Sequence, residues 1–597
     1  MSAAPADAAA VTSGDRRAGA CRSPFRARLA LLALLGATYG ACAPRLEPAD
    51  LVLLGGKLVT VDPERPEAEA LAARGGRIVA VGTDPDVRPL IGDGTRVIEL
   101  AGKLAIPGFI ECHGHFAGIG RERMRLDVSR ARTWDEVVAL AVDAARAARP
   151  GEWIVGWGWH QEKWDSTPHP AVEGYPTHEA LSRLTPDNPV LLKHAAGTHG
   201  GLVNARAMAE IGIDATTPDP PGGRIVRDGA GRPTGVLRDG AFRLADEAYG
   251  ASQARRAPAE IEADAQREIE LAAAECRSNG ITTFHDAGAE LETIPRLRAA
   301  AESGRLGVRL WVMLHERVSV EELERLAPQL RTVGAADDHF TLRAIKREVD
   351  GALGTHSAWL LEPYTDRPES AGLNTTPLDE LERAAEFAAA NGFQLATHAI
   401  GDRANREMLD LYARVLARHP ELRDPRWRIE HAQHLSRADV PRFAELGVIA
   451  SMQGIHCTSD GPWVPTRLGP QRSREGSYAW RALLDSGAML CNGTDTPIEP
   501  IDPIANFHAA VTRRMGDGTA FHPEQRMTRS EALRSATIDA AYAGFEEEIK
   551  GSLSPGKLAD VVVLSRDILT VPEEEIRGTE ILYTIVGGRV VHERRPA

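Results

Sequence analysis

The stretch LDELERAAEFAAANGFQLATHAIGD, residues 378–402, decides the fold. Its first fifteen residues carry apolar side chains at helical spacing, and Gly392 is typical of a helix end. The apolar run FQLATHA that follows is short and sits directly after this glycine, which indicates a buried strand. A helix that leads straight into a buried strand is the unit from which parallel sheets are built.

The same alternation of helix and strand runs through residues 106–545. A helix precedes each of the strand-like runs ITTFHDAG, WRIEHAQH, VIASMQGIH and AMLCNGTD. Repeated units of this length predict a parallel sheet with right-handed crossovers, and eight of them make a (β/α)8 TIM barrel. A doubly wound open sheet is the alternative, but the sequence has no glycine-rich dinucleotide loop after its first strand.

The two ends of the chain resemble each other. ADLVLLGGKLVTVD, within residues 49–105, and ILYTIVGGRVVHE, within residues 546–597, both place a Gly-Gly turn between two strands. We therefore expect one small β-sandwich built from both chain ends, with the barrel inserted between them. Residues 151–240 are rich in Trp, Gly, Pro and His, and we expect them to form long loops inserted into the barrel.

Composition excludes some classes of partner. The chain has 597 residues, of which 43% are hydrophobic and 26% charged, as in an ordinary soluble globular protein. The formal net charge of −14 disfavours nucleic acid or an anionic membrane surface as the main partner. A small-molecule substrate is the remaining expectation, and a homodimer is a fair default for the assembly.

Residues 1–48 have the pattern of a targeting segment. Arg22, Arg26 and Arg28 precede the apolar run LALLALLGA at 29–37, which is too short to span a bilayer but suits a signal peptide. Cys42 follows in YGACAP, which resembles a bacterial lipoprotein cleavage site. We expect export, which leaves the protein either free in the periplasm or attached to a membrane through a lipidated Cys42. The alternative is an Ala-rich extension on a cytoplasmic protein.

The chain has six cysteines, and none is in a Cys-x-x-Cys spacing. A disulfide framework and a cysteine-based zinc knuckle are therefore not expected. We expect the four cysteines outside the leader to be mostly buried thiols. These are Cys112, Cys276, Cys457 and Cys491.

Polar residues stand at the ends of several strand-like runs. In a barrel these ends converge on one mouth, where buried charge is costly unless it is paired or bound to metal. Histidine and aspartate together indicate a metal centre with nitrogen and oxygen ligands. The residues are His113 and His115 in FIECHGHF, Lys346 in LRAIKREVDG, His398 in QLATHAIGD, His431 in RIEHAQH and Asp495 in LCNGTDTP.

Nine strings in order make the resemblance specific. From about residue 49 to 597 the chain resembles the amidohydrolase superfamily, in the amidohydrolase 3 branch of YtcJ-like enzymes and N-substituted formamide deformylases. The strings are IPGFIECHGH, PTGVLRDGA, GITTFHDAG, IKREVDGALGTHSAWLLEPY, THAIGDRAN, RIEHAQ, SMQGIH, NGTDTPIEPIDP and SPGKLADVVVL.

The resemblance implies a metal-dependent hydrolase that cleaves a carbon–nitrogen bond of the amide or formamide type. His113 and His115 would bind the more buried of two divalent metals, with zinc the expected ion. Lys346 would carry a carbamate that bridges the pair, since an unmodified lysine is a cation and cannot act as a ligand.

The remaining roles follow from the same resemblance. His398 and His431 would bind the second metal, and Asp495 would contact the first. A metal-bound hydroxide would attack the substrate carbonyl, and Asp495 would pass the proton to the leaving amine. His199, in GTHGGLVNARAM, would polarise the carbonyl; a structural loop histidine is the alternative.

One departure and two rival functions stand beside this prediction. Glu111 occupies a position where the family usually has Asp, so its supporting contacts could differ. A mononuclear deaminase or cyclic amidase of the same superfamily is one alternative, although the Lys346 motif disfavours it. A non-catalytic binding protein on the barrel fold is the other, and no predicted ligand is missing to support it.

Overall fold

The computed structural model describes residues 47–161, 164–194, 200–220 and 223–595. The predicted leader, apart from its last two residues, lies outside these ranges, as do Cys42 and His199. Within the described ranges, no helix combines the length and the apolar character needed to cross a membrane.

Eight parallel strands form the barrel, and they lie side by side in chain order. A short antiparallel strand, Thr332–Gly334, pairs with the fourth of them. This arrangement confirms the predicted (β/α)8 barrel. The strands are β1 (Phe109–Gly114), β2 (Ile281–Ala289), β3 (Arg309–Leu314), β4 (Phe340–Glu348), β5 (Gln394–Ala399), β6 (Arg428–His431), β7 (Ile449–Gln453) and β8 (Leu490–Gly493).

Helices surround the strands and bury one face each against them. The first crossover, from β1 to β2, contains Phe116–Met124 and Pro258–Ser278. The later crossovers contain Ile294–Glu302, Val320–Leu330, Leu378–Asn391, Asp402–Arg418, Val440–Leu446, Gly454–Asp460, Val464–Leu468, Pro470–Gly476 and Trp480–Asp485. The helices Pro503–Thr512, Arg529–Ser535 and Ile538–Ala543 follow β8.

The barrel closes where β8 meets β1. No backbone ladder joins these two strands within the described ranges, unlike the seven other neighbouring pairs. Instead, Asp495 N donates to His113 O at 2.8 Å. The Glu111 carboxylate accepts from Thr494 N at 2.7 Å and from Thr494 Oγ1 at 2.8 Å. We call this contact the β1–β8 seam.

The first crossover contains a folded subdomain, so the expectation of long loops for residues 151–240 is wrong. Its six-stranded sheet has the order Gly223–Arg227, Pro233–Asp239, Gly200–Val203, Val190–His194, Ile154–Trp159 and Leu126–Asp127. The helices Trp134–Ala147, Glu179–Leu184, Ala205–Ile211 and Gly240–Ala254 accompany it. Two buried apolar clusters, around Trp159 and Leu191, give it a core.

Both chain ends contribute to a pair of β-sheets beside the barrel. One sheet has the order Arg77–Gly82, Ala70–Arg74, Leu51–Leu54 and Arg96–Glu99. The other has the order Arg589–Glu593, Ile581–Val586, Val561–Leu564, Leu104–Pro107, Lys57–Val59 and Glu67–Ala68. They share a core that includes Leu53, Leu71, Val561 and Ile585. A buried pair, Arg309 on β3 and Asp560, connects this layer to the barrel at 2.8 and 3.1 Å.

Candidate metal centre

The carboxyl ends of five barrel strands bring the predicted ligands together. The ring centroids of His398 and His431 lie 4.5 Å apart, and those of His113 and His431 lie 4.7 Å apart. Each residue stands at or just after a strand end, as a barrel requires. The set comprises His113 on β1, His115 directly after it, Lys346 on β4, His398 on β5, His431 on β6 and Asp495 two residues after β8.

One group has the spacing of a metal site. His115 Nε2 lies 3.3 Å and His113 Nε2 lies 3.6 Å from Asp495 Oδ1. Ligands of a tetrahedral ion with bonds of about 2.0–2.2 Å stand about 3.4 Å apart. These two histidines and Asp495 therefore already have the separations that one ion would impose.

Hydrogen bonds fix which ring nitrogen is available. His113 Nδ1 donates to Glu430 Oε2 at 2.5 Å, and His431 Nδ1 donates to Gln453 Oε1 at 2.8 Å. The Nε2 atom of each ring is thereby left as a lone-pair donor. A carboxylate or amide behind a histidine is the usual support of a metal ligand.

Buried ring nitrogens without partners support the same interpretation. Within the described ranges, Nε2 of His113 and Nε2 of His398 are buried and accept or donate no hydrogen bond. A buried polar atom without a partner costs free energy, so such atoms need an explanation. His113 Nε2 lies 3.6 Å from Asp495 Oδ1, and His398 Nε2 lies 3.6 Å from Asp350 Oδ1. Unpartnered ring nitrogens beside buried carboxylates fit a divalent metal that prefers nitrogen and oxygen ligands.

Electrostatics keep the ligands in their binding forms. Burial lowers the pKa of His113 and holds the pKa of His431 well below its usual range. Burial, reinforced by the charge of Lys346, lowers the pKa of His398 to about 3. Burial alone would raise the pKa of Asp495, but the contacts with His115 and His113 hold it well below its usual range. Neutral imidazoles and a carboxylate are the forms that bind metal.

Lys346 lies within this group of histidines. Its Nζ donates to Ala287 O at 3.4 Å, and the side chain is buried. Its positive charge contributes to lowering the pKa of His113, His398 and His431. A buried lysine among histidines is in position to be converted to an anionic ligand.

His456 is an addition to the predicted set. It follows β7, and its Nε2 lies 3.7 Å from Asp495 Oδ2. Gln433 Nε2 donates to His456 Nδ1 at 2.9 Å, so the ring proton lies on Nε2 and faces the aspartate. With the amide so oriented, His456 can donate a hydrogen bond to Asp495.

Two residues of the site have a left-handed backbone. His431 has φ of 76° and Asp495 has φ of 61°, where a residue other than glycine is uncommon. Such a conformation costs on the order of 1–3 kcal/mol and tends to occur at functional sites. At both positions the turn follows a barrel strand and directs a polar side chain into the shared cluster.

Glu111 supports the seam rather than the ligand group. Besides Thr494 it accepts from His113 N at 3.2 Å. Burial raises the pKa of Glu111 to about 8, against the opposing effect of these hydrogen bonds. Glutamate is longer than the aspartate usual at this position, and its side chain spans the distance from β1 to β8.

Three residues outside the predicted site set have structural contacts. His285 accepts from the Arg428 guanidinium at 3.3 Å and packs on Trp311. Asn204 caps the helix Ala205–Ile211 through Ala207 N at 2.9 Å. Trp159 is buried in the core of the inserted subdomain.

Glu430, Gln453 and Gln433 were not predicted. Each is a buried polar residue at or beside a strand end. The sequence signal for them, a polar residue at the end of an apolar run, is present in RIEHAQ and SMQGIH. The partners of these residues, however, are known only once neighbouring strands are aligned.

Fold and site together define a class. An uncharacterized metal-dependent hydrolase from Pyrococcus furiosus has a similar structure, with a TM-score of 0.69 and 26% identity over 87% of this chain and 100% of that one. A barrel with nitrogen and oxygen ligands at its strand ends is the architecture of a metal-dependent hydrolase. The sequence model of the amidohydrolase family matches residues 96–592, and the chain belongs to that family.

Three relatives align over nearly their whole lengths. Protein LONG AFTER FAR-RED 3 of Arabidopsis thaliana is 33% identical over 94% of this chain and 96% of its own. Putative amidohydrolase YtcJ of Bacillus subtilis (strain 168) is 30% identical over 90% of this chain and 99% of its own. N-substituted formamide deformylase of Arthrobacter pascens is 29% identical over 91% of this chain and 98% of its own. The predicted branch of the superfamily and the predicted hydrolase class are thereby confirmed.

Proposed function

We propose that this amidohydrolase cleaves the carbon–nitrogen bond of an N-substituted amide or formamide. The observation that carries the proposal is the group of His113, His115 and Asp495, whose ligand atoms have the separations of one metal site. The relative named as an N-substituted formamide deformylase supports this substrate class.

The proposed metal centre has two ions, with zinc as the expected metal. His113, His115 and Asp495 would hold one ion, and His398 and His431 the other. A carbamate on Lys346 would bridge them. When bound, such ions lower the pKa of water and polarise a carbonyl oxygen.

Asp495 is the proposed proton carrier. Its carboxylate takes the proton of the attacking water and delivers it to the departing amine nitrogen, so that bond cleavage releases a neutral amine. His456 Nε2 faces Oδ2 of this carboxylate at 3.7 Å, while His115 Nε2 faces Oδ1 at 3.3 Å. The proposal also includes the role expected for His199, which is to polarise the substrate carbonyl.

The test is a substrate panel with the full-length, zinc-loaded protein. N-alkyl and N-aryl formamides, the matching acetamides, an aminopurine and a cyclic imide are compared by release of amine, carboxylate or ammonia. Amine with formate is the expected product pair. Ammonia from the aminopurine would favour the deaminase alternative, and ring opening of the imide would favour the cyclic amidase.

A matched variant separates chemistry from binding. Asp495→Asn keeps the size of the side chain but cannot take a proton as a carboxylate does. Loss of about 10²–10⁴-fold in kcat is expected. Equal turnover in the variant at equal metal content would remove Asp495 from the reaction.

A further inference from the structure

The β1–β8 seam is the weakest join in the barrel. Every other pair of neighbouring barrel strands is held by a backbone ladder, and the described residues provide none here. The strands nonetheless carry His113 and, just beyond β8, Asp495, whose atoms approach to 3.6 Å. Any shift along this seam would therefore separate two residues of the candidate metal centre.

Two cysteines face each other across the seam. Cys112 lies on β1 between Glu111 and His113, and Cys491 lies on β8. Their Sγ atoms are 2.6 Å apart, and both residues are fully buried. Non-bonded carbon atoms prefer a separation of about 3.5–4.0 Å, and sulfur is larger, so two separate thiols do not fit comfortably at this distance.

Among the described residues, the polar atoms of Ser451 and Arg428 beside Cys112 Sγ lie farther from it than Cys491 Sγ does. Ser451 Oγ and an Arg428 guanidinium nitrogen each lie 3.8 Å from Cys112 Sγ. The apolar neighbours of the pair include Ile110, Ile449 and Ala540. A bonded sulfur pair needs a separation of about 2.05 Å, which requires a movement of only about half an ångström.

We propose that Cys112 and Cys491 form a disulfide that locks the β1–β8 seam. The bond closes the barrel covalently, across 379 positions of sequence. At this seam the described backbone forms two hydrogen bonds, from Asp495 N to His113 O and from His115 N to Thr496 O, rather than a ladder. The structure has all four described cysteines as buried free thiols, as the sequence predicts, and the proposal concerns the oxidised form of two of them. The proposal does not depend on which substrate the enzyme cleaves.

The chemistry is a thiol–disulfide exchange with an external disulfide as oxidant. One thiolate of the pair attacks the oxidant, which forms a mixed disulfide and releases one thiolate of the oxidant. The second cysteine then attacks the protein sulfur of that mixed disulfide, so the protein bond forms and the second oxidant thiolate leaves. The protein loses two protons and two electrons, and the oxidant becomes two thiols.

Peptide mapping tests the bond without any substitution. Full-length protein is equilibrated with oxidised glutathione, both folded and during refolding from denaturant. It is then alkylated in denaturant and digested with trypsin without reduction. The expected product is peptide 104–121 joined to peptide 482–513, lighter than their sum by two hydrogen atoms. Cys276 and Cys457 serve as internal controls and should be alkylated.

Variants test the consequence for the fold. Reductant is expected to lower the thermal midpoint of the oxidised wild type. It should have no such effect on Cys112→Ser or Cys491→Ser, while Cys276→Ser should respond like the wild type. Full alkylation of Cys112 and Cys491 on both routes would overturn the proposal, and so would a disulfide joining either of them to another cysteine.

Discussion

At the scale of single residues, the site depends on groups that stand behind its ligands. Glu430 and Gln453 each accept from the Nδ1 atom of a histidine and so determine that Nε2 faces the centre. Gln433 instead donates to the Nδ1 atom of His456, so the ring proton of His456 is on Nε2 and faces Asp495. The same side chain type therefore serves as a ligand or as a donor according to its hydrogen-bond partner.

Glu430→Gln should weaken metal binding. The amide can still contact His113 Nδ1, but it lacks the charge that makes the imidazole a stronger donor. A loss of about 10–100-fold in metal affinity is expected, measured by titration with a competing chelator. The exposed Glu421→Gln is the matched control and should bind as the wild type does. Unchanged affinity in Glu430→Gln would mean that this carboxylate does not support a ligand.

His456→Asn should lower kcat with little change in metal content. We propose that His456, whose Nε2 faces Asp495 Oδ2 at 3.7 Å, donates a hydrogen bond to this carboxylate during turnover. Loss of a hydrogen bond to a charged group costs about 1.5–3 kcal/mol, which corresponds to a rate loss of about 10–150-fold. Turnover and elemental analysis of the same sample give the two readouts. His592→Asn, on a strand of the sandwich, is the control. If metal content falls together with kcat, His456 is a ligand rather than a donor.

At the scale of elements, the seam between β1 and β8 is held by side-chain contacts and by single backbone hydrogen bonds rather than by a ladder. Glu111 spans it through Thr494, and Asp495 N binds His113 O. The conformation of the metal centre therefore depends on contacts between the first and the last strand of the barrel.

Thr494→Val should destabilise the fold. The change removes the Oγ1 donor and leaves one oxygen of the buried Glu111 without that partner. A loss of about 1–3 kcal/mol in the free energy of unfolding is expected from urea titration. Thr375→Val, at an exposed position, should change the free energy by less than about 0.5 kcal/mol. Equal stability of both variants would contradict the role given to Glu111.

The sequence predicts the barrel, and it predicts which polar residues stand at the strand ends, for a physical reason. Helix ends such as Gly392 and apolar strands such as β5 are local signals, and a polar residue at a strand end stands out against them. Contacts between residues far apart in the chain leave no such signal. The pairing of Glu430 with His113 spans 317 positions and becomes visible only when the strands are assembled.

The inserted subdomain was not predicted because its glycines were interpreted as turn residues. A Cβ at Gly201 would stand 2.5 Å from the Phe242 ring, and one at Gly223 would stand 2.0 Å from Ala241 N. These glycines are needed because another element packs closely against their strands. The sequence shows the glycine but not the close approach that requires it.

At the scale of the whole molecule, a buried ion pair connects the barrel to the sandwich. Arg309 on β3 and Asp560 form two hydrogen bonds, and both side chains are almost fully buried. Asp560 also accepts from Gly587 N at 2.8 Å. The pair therefore ties the C-terminal strands to the centre of the barrel.

Asp560→Ala should be strongly destabilising. It leaves the Arg309 charge buried without its partner, and about 3–5 kcal/mol of unfolding free energy should be lost. Urea titration measures the loss. Glu302→Ala, which removes a solvent-exposed ion pair with Arg298, should cost at most about 1 kcal/mol. The double variant Arg309→Met with Asp560→Leu should recover part of the stability, and a double variant as unstable as Asp560→Ala would contradict this explanation.

The central claim is that the ends of the barrel strands form a metal centre. Metal content of full-length protein purified without chelator tests it most directly, beside that of Lys346→Ala and of the control His592→Asn. The account predicts about two divalent ions per chain in the wild type and the control, and one or none in Lys346→Ala. One ion in all three would remove the bridging role of Lys346. A folded wild type that binds no metal would contradict the account.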